Sequence, residues 1–285
     1  AQNHGMQVLD LTLLREVGDE PVEFTATTHY DKIASSHNIV INEDTGYAYT
    51  VGNSSGGETC GGGLHIINIQ DPTNPEFVGC FADPSTGRSG TGYSHDAMCI
   101  TYNGPDAEHQ GKEICFGSNE TALSIADVTD KAATVALSTA SYPNVGYAHQ
   151  GWITEDHRFF YLNDELDELS GKTDGTRTMI WDVSDLDDPQ LVREYVSTNK
   201  SSDHNLYIKG DFMYQSNYQS GLRIFDISDA ANPVPVGFFD TVPYGTDTPG
   251  FGGSWSNYPF FKSGSVLVTS GSEGLFVVKK RQVDI

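Results

Sequence analysis

Short apolar runs separated by turn-forming residues recur along the whole chain with a period of between 51 and 58 residues. One recurring sequence segment, which we call a line of the repeat, reads GLHIINIQDPTNPEFVG from Gly63 and GLRIFDISDAANPVPVG from Gly221. Looser copies of it start at Ala122, Arg177 and Gly274. The β-branched and aromatic residues of these runs favour strands. The Asn-Pro segments favour turns, because proline fixes φ and a neighbouring Asp or Asn caps the turn. Each copy therefore predicts two strands joined by a turn.

A second line precedes each copy and opens with a histidine in four cases out of five. The histidines are spaced by 58, 54 and 55 residues, and a tryptophan takes the fifth position 51 residues later: His37, His95, His149, His204 and Trp255. A short aromatic or β-branched run lies between the two lines. Each period thus holds about four β-forming runs, and no segment shows sustained 3.6-residue periodicity. A four-strand period of this length is typical of a β-propeller blade.

The repeat predicts an all-β fold, a single β-propeller domain over residues 1–285 built from four-stranded antiparallel blades. Five complete blades are expected to start near residues 36, 94, 148, 203 and 254, after a partial blade at 1–35. Strand-like runs at 5–14 and 22–30, and a last period that runs out after its third strand, leave the blade number open. Either a sixth blade is incomplete, or the chain begins partway through a longer propeller. An N-terminal strand that completed the last blade would close the ring.

The composition and the net charge limit the classes of binding partner that we expect. Lys and Arg number 16 against 39 Asp and Glu, so the formal net charge is -23. Such a surface repels nucleic-acid phosphates and anionic membranes and favours cations. No apolar stretch approaches the roughly 20 residues of a membrane-spanning helix. We therefore expect neither nucleic-acid binding nor a transmembrane segment.

Four cysteines lie within one 56-residue window, and none forms a CxxC pair. An even set without metal-site spacing favours disulfides in an oxidising compartment, so we expect a secreted, periplasmic or extracellular surface protein. Cys99 and Cys115 fall in the first and second strands of one blade, which are antiparallel neighbours, and we predict a bridge between them. Cys60, in a glycine-rich loop, then pairs with Cys80.

Long stretches of the chain resemble one family. They include SHNIVINEDTGYAY, HQGWITEDHRFFYLNDELDE, DHNLYIKGDFMYQSNYQSGLRIFDIS and WSNYPFF. Over essentially its whole length the chain is similar to the bacterial LVIVD-repeat proteins of the choice-of-anchor B type. The resemblance implies a secreted or surface-anchored propeller and implies little about activity. Members of that family usually carry further blade sequence upstream, and against that pattern this sequence starts in mid-blade and shows no C-terminal anchor.

Propeller topology brings the histidine line and the ends of the second strands to one central funnel. Those strand ends carry Glu120, Glu165 and Glu273, so we expect imidazoles and carboxylates to approach each other there. In one interpretation these groups and Trp255 line a site that binds a cation or activates a substrate, since imidazole and carboxylate together suit Zn, Fe, Mn or Cu. In the other, each histidine donates a structural hydrogen bond to an acidic or amide group of a neighbouring loop, because a residue repeated in every blade serves what every blade needs.

The densest acidic loop is longer than its counterpart in the next blade, and long loops on a rigid scaffold often carry function. Oxygen-only ligands suit calcium, and the candidate ligands are Asp164, Glu165, Asp167 and Glu168. A solvated acidic loop without an ion is the alternative.

Sequence motifs for nucleophilic, phosphate-binding, HExxH or dinucleotide chemistry do not occur. This favours a non-catalytic, cation-stabilised module that binds a protein, glycan or matrix partner through its loop-bearing face. The alternative is a metal-dependent hydrolase or oxidoreductase that acts at the funnel. The sequence leaves the assembly state open.

Overall fold

A computed structural model describes residues 3–280, and β-strands make up nearly all of the regular structure there. The exceptions in this range are two short 3-10 helices, η1 (Leu11–Glu16) and η2 (Cys60–Gly62). Neither of them has the length that a helix would need to cross a membrane. The predicted all-β fold with little helix is confirmed.

The residues before the first blade form two small sheets. Strand β1 (Met6–Val8) pairs antiparallel with β2 (Thr28–Tyr30). Strand β3 (Ile33–Ser35) pairs with a short strand in a loop of blade 1. Residues 19–27 have no regular structure, so the strand expected over 22–30 is confined to its last three residues. In the described part of the chain β1 and β2 pair with each other rather than with the last blade.

In the rest of the described chain, strands that follow one another in the sequence pair into five antiparallel blades, which are arranged as a propeller. Blade 1 consists of β4 (Asn38–Asn42), β5 (Tyr47–Val51), β7 (Leu64–Asn68) and β8 (Glu76–Phe81), and the loop strand β6 (Ser55–Gly57) pairs with β3. Blade 2 consists of β9 (Asp96–Thr101), β10 (Glu113–Ser118), β11 (Leu123–Asp127) and β12 (Val135–Ala140). Blade 3 consists of β13 (Ala148–Ile153), β14 (Phe159–Asp164), β15 (Arg177–Asp182) and β16 (Gln190–Val196). Blade 4 consists of β17 (Leu206–Lys209), β18 (Phe212–Ser216), β19 (Leu222–Asp226) and β20 (Val234–Phe239). Blade 5 has three strands in the described range, β21 (Ser254–Tyr258), β22 (Ser265–Ser270) and β23 (Gly274–Lys279).

The hydrophobic core lies between the blades, because successive side chains of a strand point to opposite faces of its sheet. On β14 the ring of Phe160 stacks on Phe116 of blade 2, with centroids 5.2 Å apart. The next residue, Tyr161, belongs instead to the core shared with Met213 of blade 4. The first strands of the blades are innermost and pack against each other in sequence order. This order brings the start of every repeat to the centre.

A buried carboxylate of blade 2, ion-paired within that blade, also joins blades 1 and 2 through hydrogen bonds. Glu113 on β10 is 4% exposed, and its Oε2 accepts from Lys131 Nζ at 2.7 Å. Its Oε1 accepts from three groups of blade 1: Asn42 Nδ2 at 2.9 Å, Thr45 Oγ1 at 2.8 Å and Tyr49 OH at 2.5 Å. The carboxylate is therefore fully partnered by donors from both blades.

Both predicted disulfides are present. Cys99 and Cys115 occupy directly paired positions on β9 and β10, with Cα atoms 4.1 Å apart. Cys60, in η2, is bonded to Cys80 on β8, with Cα atoms 5.4 Å apart. Each bridge closes a short loop of the unfolded chain, which stabilises the fold by roughly 3 kcal/mol.

Candidate metal centre

The five residues that open the repeat line lie side by side at the centre, with each ring tilted by 38–51° to the next. We call them the histidine ladder: His37, His95, His149, His204 and Trp255. From one ring to the next the centroids are 4.0, 4.2, 4.5 and 4.4 Å apart. The stack follows from the fold, because each ring lies at the start of an innermost strand. His37, at one end, is exposed, and Trp255, at the other, is 46% exposed.

Two of the ladder residues lie in β-bulges. The register between β13 and β14 shifts between Ala148 and Gln150, which leaves His149 without a cross-strand partner. The same shift occurs at Trp255, between Ser254 and Ser256. A bulge turns a side chain away from the regular alternation of its strand, and bulges are frequent next to functional sites. The bulge at His149 therefore sets the direction in which its imidazole points.

Two of the histidines link consecutive blades through Nδ1. His95 Nδ1 donates to the carbonyl oxygen of His149 at 3.2 Å, and His204 Nδ1 donates to that of Trp255 at 2.5 Å. The acceptor is the backbone of the next ladder residue, rather than the acidic or amide side chain expected for a structural role. With Nδ1 as the donor, Nε2 of each ring is left as an acceptor.

His149 departs from this scheme. It is 1% exposed, and neither of its ring nitrogens has a hydrogen-bond partner in the described structure. The carbonyl oxygen of His204, which the repeat would offer to it, accepts instead from Asn163 Nδ2. A buried polar group without a partner costs about 1–3 kcal/mol. The His204 carbonyl thus lies beside the His149 ring, as the repeat would place it, but the His149 nitrogens do not reach hydrogen-bond geometry with it.

Glu165 completes a cluster with two of the histidines. His149 Nε2 lies 3.6 Å from one Glu165 carboxylate oxygen, and His204 Nε2 lies 3.9 Å from the other. These separations are too long for hydrogen bonds. Metal–ligand bonds of about 2.0–2.2 Å in a tetrahedron require ligand atoms about 3.4 Å apart. All three ligand atoms lie within 4.8 Å of one another, which is close to that requirement.

Burial keeps the ladder imidazoles neutral. It lowers the pKa of His95 to about 3 and the pKa of His204 to about 4. It also holds the pKa of His149 well below its usual range, and the neighbouring imidazoles act in the same direction. Burial raises the pKa of Glu165, so a nearby positive charge would stabilise its carboxylate. Neutral imidazole and ionised carboxylate are the forms that bind a metal.

Tyr218 orients Glu165 and was not singled out by the sequence. Its hydroxyl donates to Glu165 Oε1 at 2.5 Å, and the residue is fully buried. Tyr218 occupies the second-strand end of blade 4, where blades 2 and 3 have Glu120 and Glu165. The replacement of glutamate by tyrosine at this position of the repeat is the feature of the sequence from which Tyr218 could have been identified. Such supporting hydrogen bonds fix the geometry of metal ligands.

The other two predicted funnel carboxylates lie in different surroundings. Glu120 Oε2 accepts from the backbone N–H of Arg88 at 2.7 Å. Glu273 accepts from Tyr244, Ser270 and Ser272, and these hydrogen bonds lower its pKa to about 2. Within the described residues, the cluster that joins ladder histidines to a carboxylate contains Glu165 and neither of these two.

The acidic loop of blade 3 divides its carboxylates among several partners. Asp164 accepts from Tyr142 OH at 2.9 Å and from three backbone N–H groups, and Glu165 faces the histidines. Asp167 Oδ2 accepts from Arg177 Nε at 2.6 Å. Glu168 has no hydrogen-bond partner on either oxygen. The four residues proposed as one calcium-ligand set thus do not face a common point, and calcium binding in this loop stays a prediction.

Comparison with protein families locates one repeat. The LVIVD repeat model matches residues 202–241, which contain blade 4. The chain carries an LVIVD repeat. A search of curated proteins found no match.

Solved structures support the same architecture. The periplasmic gluconolactonase of Pseudomonas aeruginosa has a TM-score of 0.60 at 13% identity, over 92% of this chain and 76% of that one. A Lactobacillus plantarum protein has a TM-score of 0.60 at 11% identity, over 86% of this chain and 67% of that one. A 6-phosphogluconolactonase candidate from Bacteroides uniformis has a TM-score of 0.56 at 14% identity, over 88% and 68%. At such identities the chain shares the fold of these proteins, and nothing about activity follows.

Proposed function

We propose that this propeller binds a divalent transition-metal ion at its centre, with His149, His204 and Glu165 as ligands. The observation that carries the proposal is the His149 imidazole, which is buried, neutral and unpartnered at both nitrogens, and faces a carboxylate at 3.6 Å. A bound ion would give that nitrogen a partner and would neutralise Glu165. Imidazole with carboxylate is a ligand set for zinc, copper, iron or manganese rather than for calcium.

The surrounding hydrogen bonds favour an ordered site over an accidental cluster. His204 is held through Nδ1 by the Trp255 carbonyl, and Glu165 is held by Tyr218. Both ligands are therefore fixed before an ion arrives, which reduces the cost of ordering them. The ion would connect blade 3, which supplies His149 and Glu165, to the start of blade 4.

We further propose that the protein is a secreted, periplasmic or surface module of the choice-of-anchor B type that binds a protein, glycan or matrix partner. The two disulfides support an oxidising compartment, and the LVIVD repeat match supports the family. The net charge of -23 supports recognition of cationic rather than anionic surfaces. In this function the metal stabilises the centre, and the partner meets the loops.

Titration with Co²⁺ tests the metal site, because its visible absorption reports the coordination geometry directly. Metal-free protein should bind one Co²⁺ with the intense bands of a four- or five-coordinate ion, and Zn²⁺ should displace it. His149→Ala and Glu165→Gln should each weaken binding by at least roughly tenfold. His37→Ala removes a histidine from the same repeat position outside the cluster and should leave the spectrum unchanged.

Absence of a saturable cobalt spectrum in the folded wild-type protein would overturn the proposal. So would an unchanged spectrum in His149→Ala, with folding verified by circular dichroism. The metal-dependent hydrolase or oxidoreductase remains the alternative role for the same ion. Turnover by the zinc- or copper-loaded protein that is lost in His149→Ala would favour that alternative.

A further inference from the structure

A cleft of about 460 Å³ lies at the centre of the molecule, and the first strands of blades 1 to 4 form its walls. We call it the central cleft. Its walls begin at the residues that directly follow three of the ladder histidines, namely Asn38, Asp96 and Gln150. None of the three proposed metal ligands is among the described residues that line it. Its volume is in the range of sites that bind small molecules. The central cleft is therefore a second candidate site, separate from the metal site.

Two aromatic side chains line the central cleft next to each other. The ring centroids of Trp152 on β13 and Tyr207 on β17 are 5.0 Å apart, and the ring planes meet at 66°. Phe260 packs against both rings, with its centroid 5.8 Å from that of Trp152 and 6.1 Å from that of Tyr207. Burial, and to a lesser extent the charge of Asp96, raises the pKa of Tyr207, so the field of that carboxylate reaches the aromatic pair.

The charged residues of the central cleft all have one sign. Glu43, Asp44 and Asp96 line it, and no lysine or arginine is among the described residues that do so. Asp96 is 7% exposed, and its carboxylate accepts only from two neutral donors, Asn38 Nδ2 and the N–H of Ala97. A buried carboxylate is stabilised by an opposite charge, which the protein does not supply here. The electrostatics of the cleft therefore favour a cationic ligand.

The amide side chains of the central cleft are already engaged by protein groups. Gln150 Nε2 donates to the carbonyl oxygen of Leu206 at 3.0 Å, and Gln150 Oε1 accepts from the N–H of the same residue at 2.8 Å. Asn38 donates to Asp96 at 2.8 Å and accepts from the N–H of Ile39 at 2.8 Å. A saccharide needs free donors and acceptors that bind its hydroxyl groups. The cleft is thus better suited to a ligand that is recognised by charge and by apolar contact.

A metal ion fits the central cleft less well than an organic cation. Hard divalent ions need several oxygen ligands around one point, and within the described residues Glu43, Asp44 and Asp96 do not belong to any group of three neighbouring ligands. An organic cation needs aromatic faces and one opposite charge, since the face of an aromatic ring attracts a cation. Both oxygens of Asp96 already accept hydrogen bonds, so the cation does not need N–H donors.

We propose that the central cleft binds a quaternary ammonium ion, with Trp152 and Tyr207 against its methyl groups and Asp96 as the opposite charge. Two rings at a steep angle provide two walls of the kind of aromatic cage that binds such ions. The remaining walls include the apolar side chains of Ile39 and Met98. The site goes beyond the proposed metal site and does not depend on it.

Calorimetric titration with choline tests this assignment, with 3,3-dimethyl-1-butanol as the neutral compound of the same shape. The titrations use constant ionic strength and pH 8, above the pKa of about 7 to which burial raises Asp96. Wild type should bind one choline, and the neutral compound should bind at least roughly tenfold more weakly. Asp96→Asn and Trp152→Leu should each weaken choline binding by roughly tenfold, because one removes the opposite charge and the other removes an aromatic face.

Asp188→Asn is the matched control, because it removes the same charge from an exposed position in the turn between β15 and β16. It should leave choline binding unchanged, and circular dichroism verifies the folding of each variant. Equal affinities for choline and the neutral compound would overturn the proposal, as would an unchanged affinity in Asp96→Asn. Absence of saturable binding by folded wild-type protein at about 10 mM choline would also overturn it. Glu165→Gln impairs the metal site and should retain choline binding, so failures of the two sites are distinguishable.

Discussion

Glu113, between blades 1 and 2, and the pair Glu168 and Asp203, between blades 3 and 4, are buried carboxylates that lie at opposite ends of the blade strands. Glu113 receives a lysine and three neutral donors, and its charge is balanced by protein groups alone. Glu168 and Asp203 receive no donor. Protein groups therefore donate hydrogen bonds to the buried carboxylate at one blade interface and donate none to the buried carboxylates at the other. The difference indicates that protein groups balance the charge of Glu113, whereas burial favours the neutral form of the other two, since it raises the pKa of Glu168 to about 10 and the pKa of Asp203 well above its usual range.

Glu113→Gln should produce the largest loss of stability. The substitution removes the charge partner of the largely buried Lys131 ammonium, which keeps only the carbonyl oxygens of Val128 and Thr129, and breaking a buried ion pair costs about 3–5 kcal/mol. Urea denaturation of metal-free protein measures the change, with Glu108→Gln as an exposed control on the same blade. A loss below about 1 kcal/mol would contradict the view that the donors at Glu113 hold blades 1 and 2 together.

Asp96 is an intermediate case, and it predicts a pH dependence. It has two donors, Asn38 Nδ2 at 2.8 Å and its neighbour's N–H from Ala97 at 2.7 Å, but no cationic partner among the described residues. It lines a central cleft of about 460 Å³ together with Gln150 and Tyr207. Burial raises its pKa from 3.8 to about 7. Folded protein therefore holds this proton between pH 4 and 7, where the unfolded chain has released it.

The free energy of unfolding should consequently fall as pH rises from 4 to 7, by up to roughly 4 kcal/mol from this group. The loss should be complete above pH 7. Asp96→Asn removes the titrating group, so the difference in stability between variant and wild type should grow in favour of the variant across that range. Urea denaturation at a series of pH values measures it, and a constant difference from pH 4 to 8 would refute the assignment.

Asp203→Asn should have a smaller effect and the opposite sign from Glu113→Gln. The substitution relieves the burial of a carboxylate that has no hydrogen-bond donor in the described structure. We expect a gain of about 1–3 kcal/mol in the free energy of unfolding, measured by urea denaturation. A loss of stability would indicate that Asp203 has a structural role like that of Glu113.

The sequence was sufficient to predict the blades, because each strand carries its own apolar run and turn residues. It also predicted both disulfides: strand pairing within blade 2 makes Cys99 and Cys115 neighbours, and Cys60 and Cys80 are the two cysteines that remain. Glu165 was predicted at the centre by topology alone. Separating it from Glu120 and Glu273 required side-chain positions, because all three close a second strand and differ only in the local partners that hold them.

Asp203 and Tyr218 were missed for a different reason. Both matter as departures from the repeat, a serine or alanine replaced by aspartate and a glutamate replaced by tyrosine. A repeat emphasises what its copies share, whereas the site is built from what two copies do not share. The bulge that isolates His149 is likewise set by backbone register, which the order of residues in one strand does not reveal.

The histidine ladder has a mechanical consequence. Each stacked ring, and each Nδ1 hydrogen bond, joins one blade only to the next. The molecule is thus a row of units coupled to nearest neighbours, and a disturbance at one interface decays along the row instead of spreading through a common core. Local opening is then graded, with amide exchange slowest in the doubly flanked strands β10 and β14. A metal ion bound between blades 3 and 4 would stabilise that one blade interface and leave the local opening of the other interfaces unchanged.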